Sequence, residues 1–338
     1  MSRFSRLALA ATTVALIVAA CGGPTASPTP GATATPGVTA TPGVTATPGV
    51  TATPGVTPTP GATPTASPTP AASIVATVPP DQLLFPDKLV ICSDMPYPPL
   101  EYFDENGNPI GSDIEMGEEI GRRLGLTIAV QNSVFDTIIP ALTGGKCDII
   151  ISFQNINAER LGQVDMILYY EAGQAFLVQA GNPANIQATE DLCGKKIAVE
   201  SGTTMLDYLG GTGEFEETGL PSVCQAAGLA AAEPLPYGKD SDAVAALQAG
   251  AADAYLADFP VAAGYADERP DTFMLAPLPQ IAPAPVGMSV AKTNTGLRDA
   301  VKAALLSMID DGTYLAILAE YGIESGAVTA EQVNAPVQ

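Results

Sequence analysis

The residues that could do chemistry come in four short clusters, each directly after an apolar run. Asp94 and Tyr97 follow Leu89-Val90-Ile91-Cys92, while Ser152, Phe153, Asn155 and the pair Glu159-Arg160 follow Cys147-Asp148-Ile149-Ile150-Ile151. Ser201-Gly202-Thr203-Thr204 follows Lys196-Ile197-Ala198-Val199, and Asp258 closes Ala254-Tyr255-Leu256-Ala257. Together they offer a carboxylate pair, one arginine, one aromatic ring and a Gly-Thr turn opening a helix. The chain has no histidine and its cysteines are spaced far apart, so neither a metal site nor a Ser-His-Asp triad can be assembled. No catalytic residue, metal or cofactor is expected.

The elements that must position these groups alternate. The four apolar runs read as short strands ending in polar or glycine residues. Between them lie helical periods. Asp113 can cap a helix whose apolar residues Met116, Ile120 and Leu124 fall on one face. Asp242 to Leu247 and Leu297 to Met308 repeat the pattern, and Asp310-Asp311-Gly312-Thr313 breaks the last helix and starts another through Ile317 to Tyr321. Strand–helix alternation implies an α/β fold with parallel sheets covered on both faces. Ligands of such sheets sit beyond the carboxyl ends of the strands, where all four clusters lie.

The rest of the chain concerns location. Arg3 and Arg6 precede an apolar stretch from Leu7 to Ala20, too short to span a bilayer comfortably, and Cys21 follows small residues. This resembles the lipobox of bacterial lipoproteins, which implies a signal peptide over 1–20 and lipidation of Cys21 as the mature N-terminus, anchored to the outside of the cell membrane. Thr33-Ala34-Thr35-Pro36-Gly37-Val38 then recurs at 39–44, 45–50 and 51–56 and decays into Thr-Pro pairs. So proline-rich and core-poor a stretch reads as a semi-extended tether over 21–82. From Leu83 the composition is globular, sufficient for one large domain or two lobes. Without Arg3 and Arg6, 12 basic residues face 36 acidic ones, a net of −24. That excess argues against nucleic acid or an anionic membrane surface as partner.

Taken in order, Tyr97-Pro98-Pro99, Gly111-x-Asp113-Ile114, Ile139-Pro140-Ala141-Leu142 with Gly145-Lys146 before Asp148, and Glu159-Arg160 resemble the extracytoplasmic amino-acid-binding proteins of ABC importers. Gly194-Lys195, Gly202-Thr203-Thr204, Asp258 and Asp311-Gly312-Thr313-Tyr314 extend the resemblance over 86–323. It implies a type 2 periplasmic binding fold: two Rossmann-like lobes joined by crossover strands, lobe 1 at 83–175 plus 285–338 and lobe 2 at 176–284, closing on a ligand between them.

The resemblance also implies roles. Arg160 would hold the α-carboxylate of a free amino acid, since a planar guanidinium offers paired donors that lysine lacks. Asp258 would grip the α-ammonium, and Tyr97 and Phe135 would sandwich the ligand. Asp94 would meet its side chain or brace the site, and Thr203 and Thr204 would add donors at a helix N-terminus. Ser152, Phe153 and Asn155 complete the set, with Asn155 where serine or threonine is usual and Phe153 where a small residue is common. Two aromatics and moderate local charge argue for a polar, uncharged or variable ligand. An ABC permease and its ATPase are the implied partners, for a protein acting as a monomer. Two other roles share the fold: a cyclohexadienyl dehydratase-like secreted enzyme recruiting Asp94 as general acid, and a subunit presenting ligand to a sensor.

Cys21 is assigned to lipid, which leaves Cys92, Cys147, Cys193 and Cys224 in an oxidising exterior. The resemblance implies a Cys193–Cys224 bridge. Cys92 ends its strand whereas Cys147 begins an adjacent parallel one, an offset that argues against a second bridge.

Overall fold

The computed structural model describes residues 73–336, except the side chain of Ala282. The expected signal peptide, Cys21 and most of the tether lie outside the described residues. In chain order the strands and helices are β1 (Lys88–Ser93), β2 (Tyr102–Phe103), β3 (Pro109–Ile110), α1 (Ser112–Leu124), β4 (Thr127–Asn132), α2 (Ile138–Thr143), β5 (Ile149–Asn155), α3 (Ala158–Gln163) and β6 (Val164–Gln179). Then follow β7 (Lys196–Glu200), α4 (Thr204–Gly210), α5 (Leu220–Ala226), β8 (Glu233–Tyr237), α6 (Asp240–Gln248), β9 (Ala254–Asp258), α7 (Phe259–Glu268) and β10 (Phe273–Leu275). The chain returns through β11 (Ile281–Ala291) to α8 (Thr295–Asp311), α9 (Thr313–Glu320) and α10 (Ala330–Asn334). Among the described residues no helix is long and apolar enough to cross a membrane.

One mixed sheet runs β4-β1-β5-β11-β6-β9-β7-β8, with β10 paired to β6. Two strands carry the chain between its halves. The 16-residue β6 pairs with β11 over its first part and with β9 and β10 over its last. β11 pairs back onto β5, and its register against β6 shifts between Ile281 and Ala284, where Pro283 removes an amide donor. β1, β4 and β5 are parallel, as are β7, β8 and β9. The carboxyl ends of both parallel sets therefore face the crossover region.

Alternation along the strands explains the two-faced burial. In β7, Ile197 and Val199 pack with Met205, Leu209 and Leu220 of α4 and α5, while Ala198 faces the other way, into the main core with Val244 and Val261 of α6 and α7. β1 and β5 are buried on both faces beneath Met116 and Ile120 of α1 and Leu142 of α2.

Three expectations need correction. Asp113 does not cap α1: Gly111 is the cap residue, and the buried Asp113 carboxylate accepts from Phe153 N and from the Tyr169 hydroxyl, at 3.0 and 2.7 Å. The end of the expected tether is packed on the globular body. Val75 N donates to Arg123 O, Gln82 Oε1 accepts from Leu297 N in the first turn of α8, and Ala76 and Val78 lie against the core. Apolar residues in a Pro-rich stretch here find a surface, which composition does not reveal.

The third concerns the cysteines. Cys193–Cys224 is bridged as expected, and so is Cys92–Cys147, with Cα atoms 5.7 Å apart. The offset argument treats Cys147 as part of the strand. In fact β5 starts at Ile149 and the chain bends at Asp148, so Cys147 lies outside the extended register. Peptide mapping of denatured, unreduced protein should show both pairs linked; a free Cys92 or Cys147 would refute the second bridge.

Candidate functional site

Each strand end delivers its polar group to one cavity. Asp94, Tyr97, Phe135, Ser152, Phe153, Asn155, Arg160, Thr203, Thr204 and Asp258, ten residues expected from sequence, all line it. Glu101, Glu200 and Met205 line it too and were not expected. A wider hollow of about 890 Å³ adjoins it, sharing Phe135, Arg160 and Thr203 as lining.

Arg160 sits on α3, whose N-terminus is capped by Asn157 accepting from Arg160 N. Its guanidinium is buried, donates to Asn155 O at 2.7 Å and to Gly202 O at 3.1 Å, and lies 5.3 Å from the Phe135 ring centroid. It makes no ion pair with Glu159 or Asp165; Arg298 takes Asp165 instead. The buried Asp258 ends β9, where Oδ2 accepts from the Tyr97 hydroxyl at 2.9 Å. Its Oδ1 and the Nδ2 of Asn155 are buried and without a partner among the described residues. Unpaired polar atoms in so dry a place are costly unless a ligand completes them.

Several expected groups are committed to the protein. Thr203 Oγ1 accepts from Leu206 N and donates to Glu200 O, capping α4, so what it can offer a ligand is backbone at the start of a helix. Thr204 Oγ1 donates to Asn155 Oδ1 across the cleft and accepts from Gln174 Nε2. Ser152 Oγ accepts from the Asp94 backbone N–H and donates to Glu101 Oε1, so it ties the chain at Asp94 to the Glu101 carboxylate. Phe153 has a positive φ of 43° and packs against Tyr170, ring centroids 5.0 Å apart, which leaves it as wall.

The carboxyl groups give the site its electrostatic character. Burial pushes Asp94 up to about 6, against the pull of the Phe135 N–H donated to it at 2.6 Å. Glu200 rises to about 9 through burial and the facing Asp94. Glu101 is raised well above the usual range by burial, then by Asp113. Asp258 rises to about 7 by burial, opposed by the Tyr97 hydrogen bond and the Arg160 charge. So many carboxyl groups beside one guanidinium ionise together only if another positive charge enters.

Sequence reasoning overlooked Glu200 although it ends β7 exactly as Asp258 ends β9. Glu101 had a weaker signal: the tight return of the chain at Tyr97, with Tyr97 N donating to Glu101 O at 2.7 Å, brings it back to the cleft. Gln174 lies on the crossover strand opposite Asp258 and had none.

Two lobes joined by crossover strands, with polar strand ends meeting in a cleft between them, define the type 2 periplasmic binding fold. The chain belongs to the bacterial extracellular solute-binding proteins, family 3, whose profile matches residues 89–324. It is 30% identical over 256 residues to the arginine-binding protein ArgT of Corynebacterium glutamicum, covering 75% of this chain and 81% of that one. Among solved structures it resembles an ancestral arginine-binding protein bound to arginine, with 32% identity, a TM-score of 0.61, and 70% and 98% of the two chains covered. It also resembles the ancestral amino-acid-binding protein AncCDT-1, a precursor of cyclohexadienyl dehydratase, with 31% identity, a TM-score of 0.61, and coverage of 70% and 95%.

Proposed function

We propose that this protein is the substrate-binding component of an amino-acid ABC importer and that its cargo is a cationic amino acid of the arginine type. One observation carries the reading: a single cavity holds Arg160 and Asp258 together with three further carboxyl groups, Asp94, Glu101 and Glu200. An amino-acid zwitterion uses one guanidinium for its α-carboxylate and one carboxylate for its α-ammonium. The remaining acids call for a ligand that brings a positive side chain. This narrows the sequence-based expectation of a polar, uncharged or variable ligand to a cationic one, and the arginine-binding relatives support it.

In this reading lobe 1 comprises 83–175 plus 285–338 and lobe 2 comprises 176–284, so Arg160 belongs to the first and Asp258 to the second. A zwitterion then links the lobes, each charge-assisted contact contributing about 1.5–3 kcal/mol. The ligand favours the closed form because it touches both lobes at once. Closure creates the surface that a permease recognises, and no bond is made or broken. Lipid on Cys21 and the tether keep the monomeric receptor outside the cell within reach of that permease.

Calorimetric titration of protein freed of carried-over ligand by unfolding and refolding tests this. Saturable one-to-one binding of arginine or another cationic amino acid is expected. Binding confined to neutral amino acids would sink the ligand class, and silence across all common amino acids would sink the receptor reading.

A further inference from the structure

We propose that Glu200 is a specificity-determining residue: facing Asp94 across the two lobes, it obliges the closed cleft to hold one positive charge between two carboxyl groups, supplied by a cationic ligand side chain or otherwise by a proton. The inference rests on the amino-acid-receptor reading above and goes beyond it in naming the residue and the exchange.

Glu200 is buried at the end of β7, and Asp94 is buried just after β1, on opposite sides of the crossover strands. Both line the same cavity, from opposite sides of it. Each has its remaining valence fixed by backbone. Asp240 N donates to Glu200 Oε1 at 2.9 Å, and Phe135 N donates to Asp94 Oδ2 at 2.6 Å. Neither group can therefore swing away from the other without losing a buried hydrogen bond.

The surroundings do not supply the missing charge. From α6, the Asp240 carboxylate accepts from Tyr255 and Tyr265 and adds negative potential. From the turn after Tyr97, Glu101 adds more, itself beside Asp113. Lys239 acts on Asp94 but is exposed at the surface, where solvent screens it. Arg160 is engaged with Asn155 O and Gly202 O, and Asp258 and Tyr97 are engaged with each other. Two carboxylates facing one another in a dry cleft share a proton, because both cannot ionise at close range. A guanidinium or ammonium entering between them does the proton's work, and the proton leaves to bulk water. A neutral side chain of the same length leaves the proton in place. Selectivity for the cation therefore rises with pH: acid stabilises the protonated pair and competes with the cation, while alkali removes the competitor.

Arginine and citrulline, equal in length but differing in charge, are the probes, titrated calorimetrically into the intact protein at several pH values. Two buffers of different ionisation enthalpy count the protons. The wild type should prefer arginine by about 100-fold at pH 8. That preference should shrink toward pH 5 by at most about tenfold per unit for each proton released. Arginine should release a proton and citrulline none. Glu200→Gln keeps an acceptor for Asp240 N and should cut the preference to about tenfold or less, with no proton release. Glu200→Asp should restore the pH dependence. An unchanged preference and unchanged proton release in Glu200→Gln overturns the proposal. Should that variant fail to fold by circular dichroism, Asp94→Asn is scored by the same criterion. A wild type that binds no amino acid at all defeats the receptor reading instead, whereas one that binds arginine and citrulline equally at every pH defeats only this inference.

Discussion

Replacing Arg160 with alanine should weaken amino-acid binding by at least about 30-fold while leaving the protein folded. The guanidinium is buried and spends two donors on Asn155 O and Gly202 O, which leaves others for a carboxylate. A carboxylate brought into that cleft without its partner would be a desolvated, unpaired charge, a loss of about 2–5 kcal/mol and thus of roughly 30- to several-thousand-fold in affinity. The fold should survive because Arg160 lines a cavity and is no part of the apolar core. Asn157 caps α3 through the backbone of residue 160, which alanine keeps. Arg160→Lys should recover little, since a point-like ammonium cannot reproduce the planar fork toward two carbonyls and a ligand. Calorimetry paired with circular dichroism makes the measurement, and a folded alanine variant that binds within about tenfold of the wild type would remove Arg160 from the site.

What the sequence could and could not reveal follows from the range of the interactions. Asp94 and Asp258 were legible because an apolar run followed by a carboxylate is a local pattern, and strand ends are where α/β cleft residues gather. Glu200 obeys the same rule but was overlooked because the run was read as ending at Val199, a boundary error of one residue with a large chemical consequence. The acidity of the cavity had no local signal for a related reason. Local charge near each cluster is moderate, and only folding brings Asp94, Glu101 and Glu200 to one cavity. Asp113 shows the converse. Its position before an apolar helical period suggested a cap, yet Gly111 takes that place and the carboxylate turns inward to Phe153 N and Tyr169. Contacts between the halves, such as Tyr97 to Asp258 and Thr204 to Asn155, join residues 161 and 49 positions apart and have no local signature.

Those cross-cleft contacts make Gly202 a position where one methyl group should weaken ligand binding. Gly202 has φ of +78°, and a Cβ there would stand 2.7 Å from the Cα of Asp136 and 3.0 Å from its Oδ1. Asp136 precedes α2 and Gly202 opens the turn into α4, so in the proposed two-lobe reading this contact forms on closure. Because the nearest atom is backbone, no rotamer change relieves it; the lobes must stay apart, and the Arg160 bond to Gly202 O stretches with them. Two costs of Gly202→Ala then separate. The left-handed conformation disfavours alanine by about 1–2 kcal/mol in open and closed forms alike, which lowers the melting temperature but not the affinity. The overpacking across the cleft, about 1–3 kcal/mol, falls on the closed form alone and should weaken ligand binding about 5- to 150-fold. Small-angle scattering at saturating ligand should show a larger radius of gyration for the variant than for the wild type. A variant that melts lower yet binds and compacts like the wild type would mean that the lobes do not close onto Asp136 when ligand is bound.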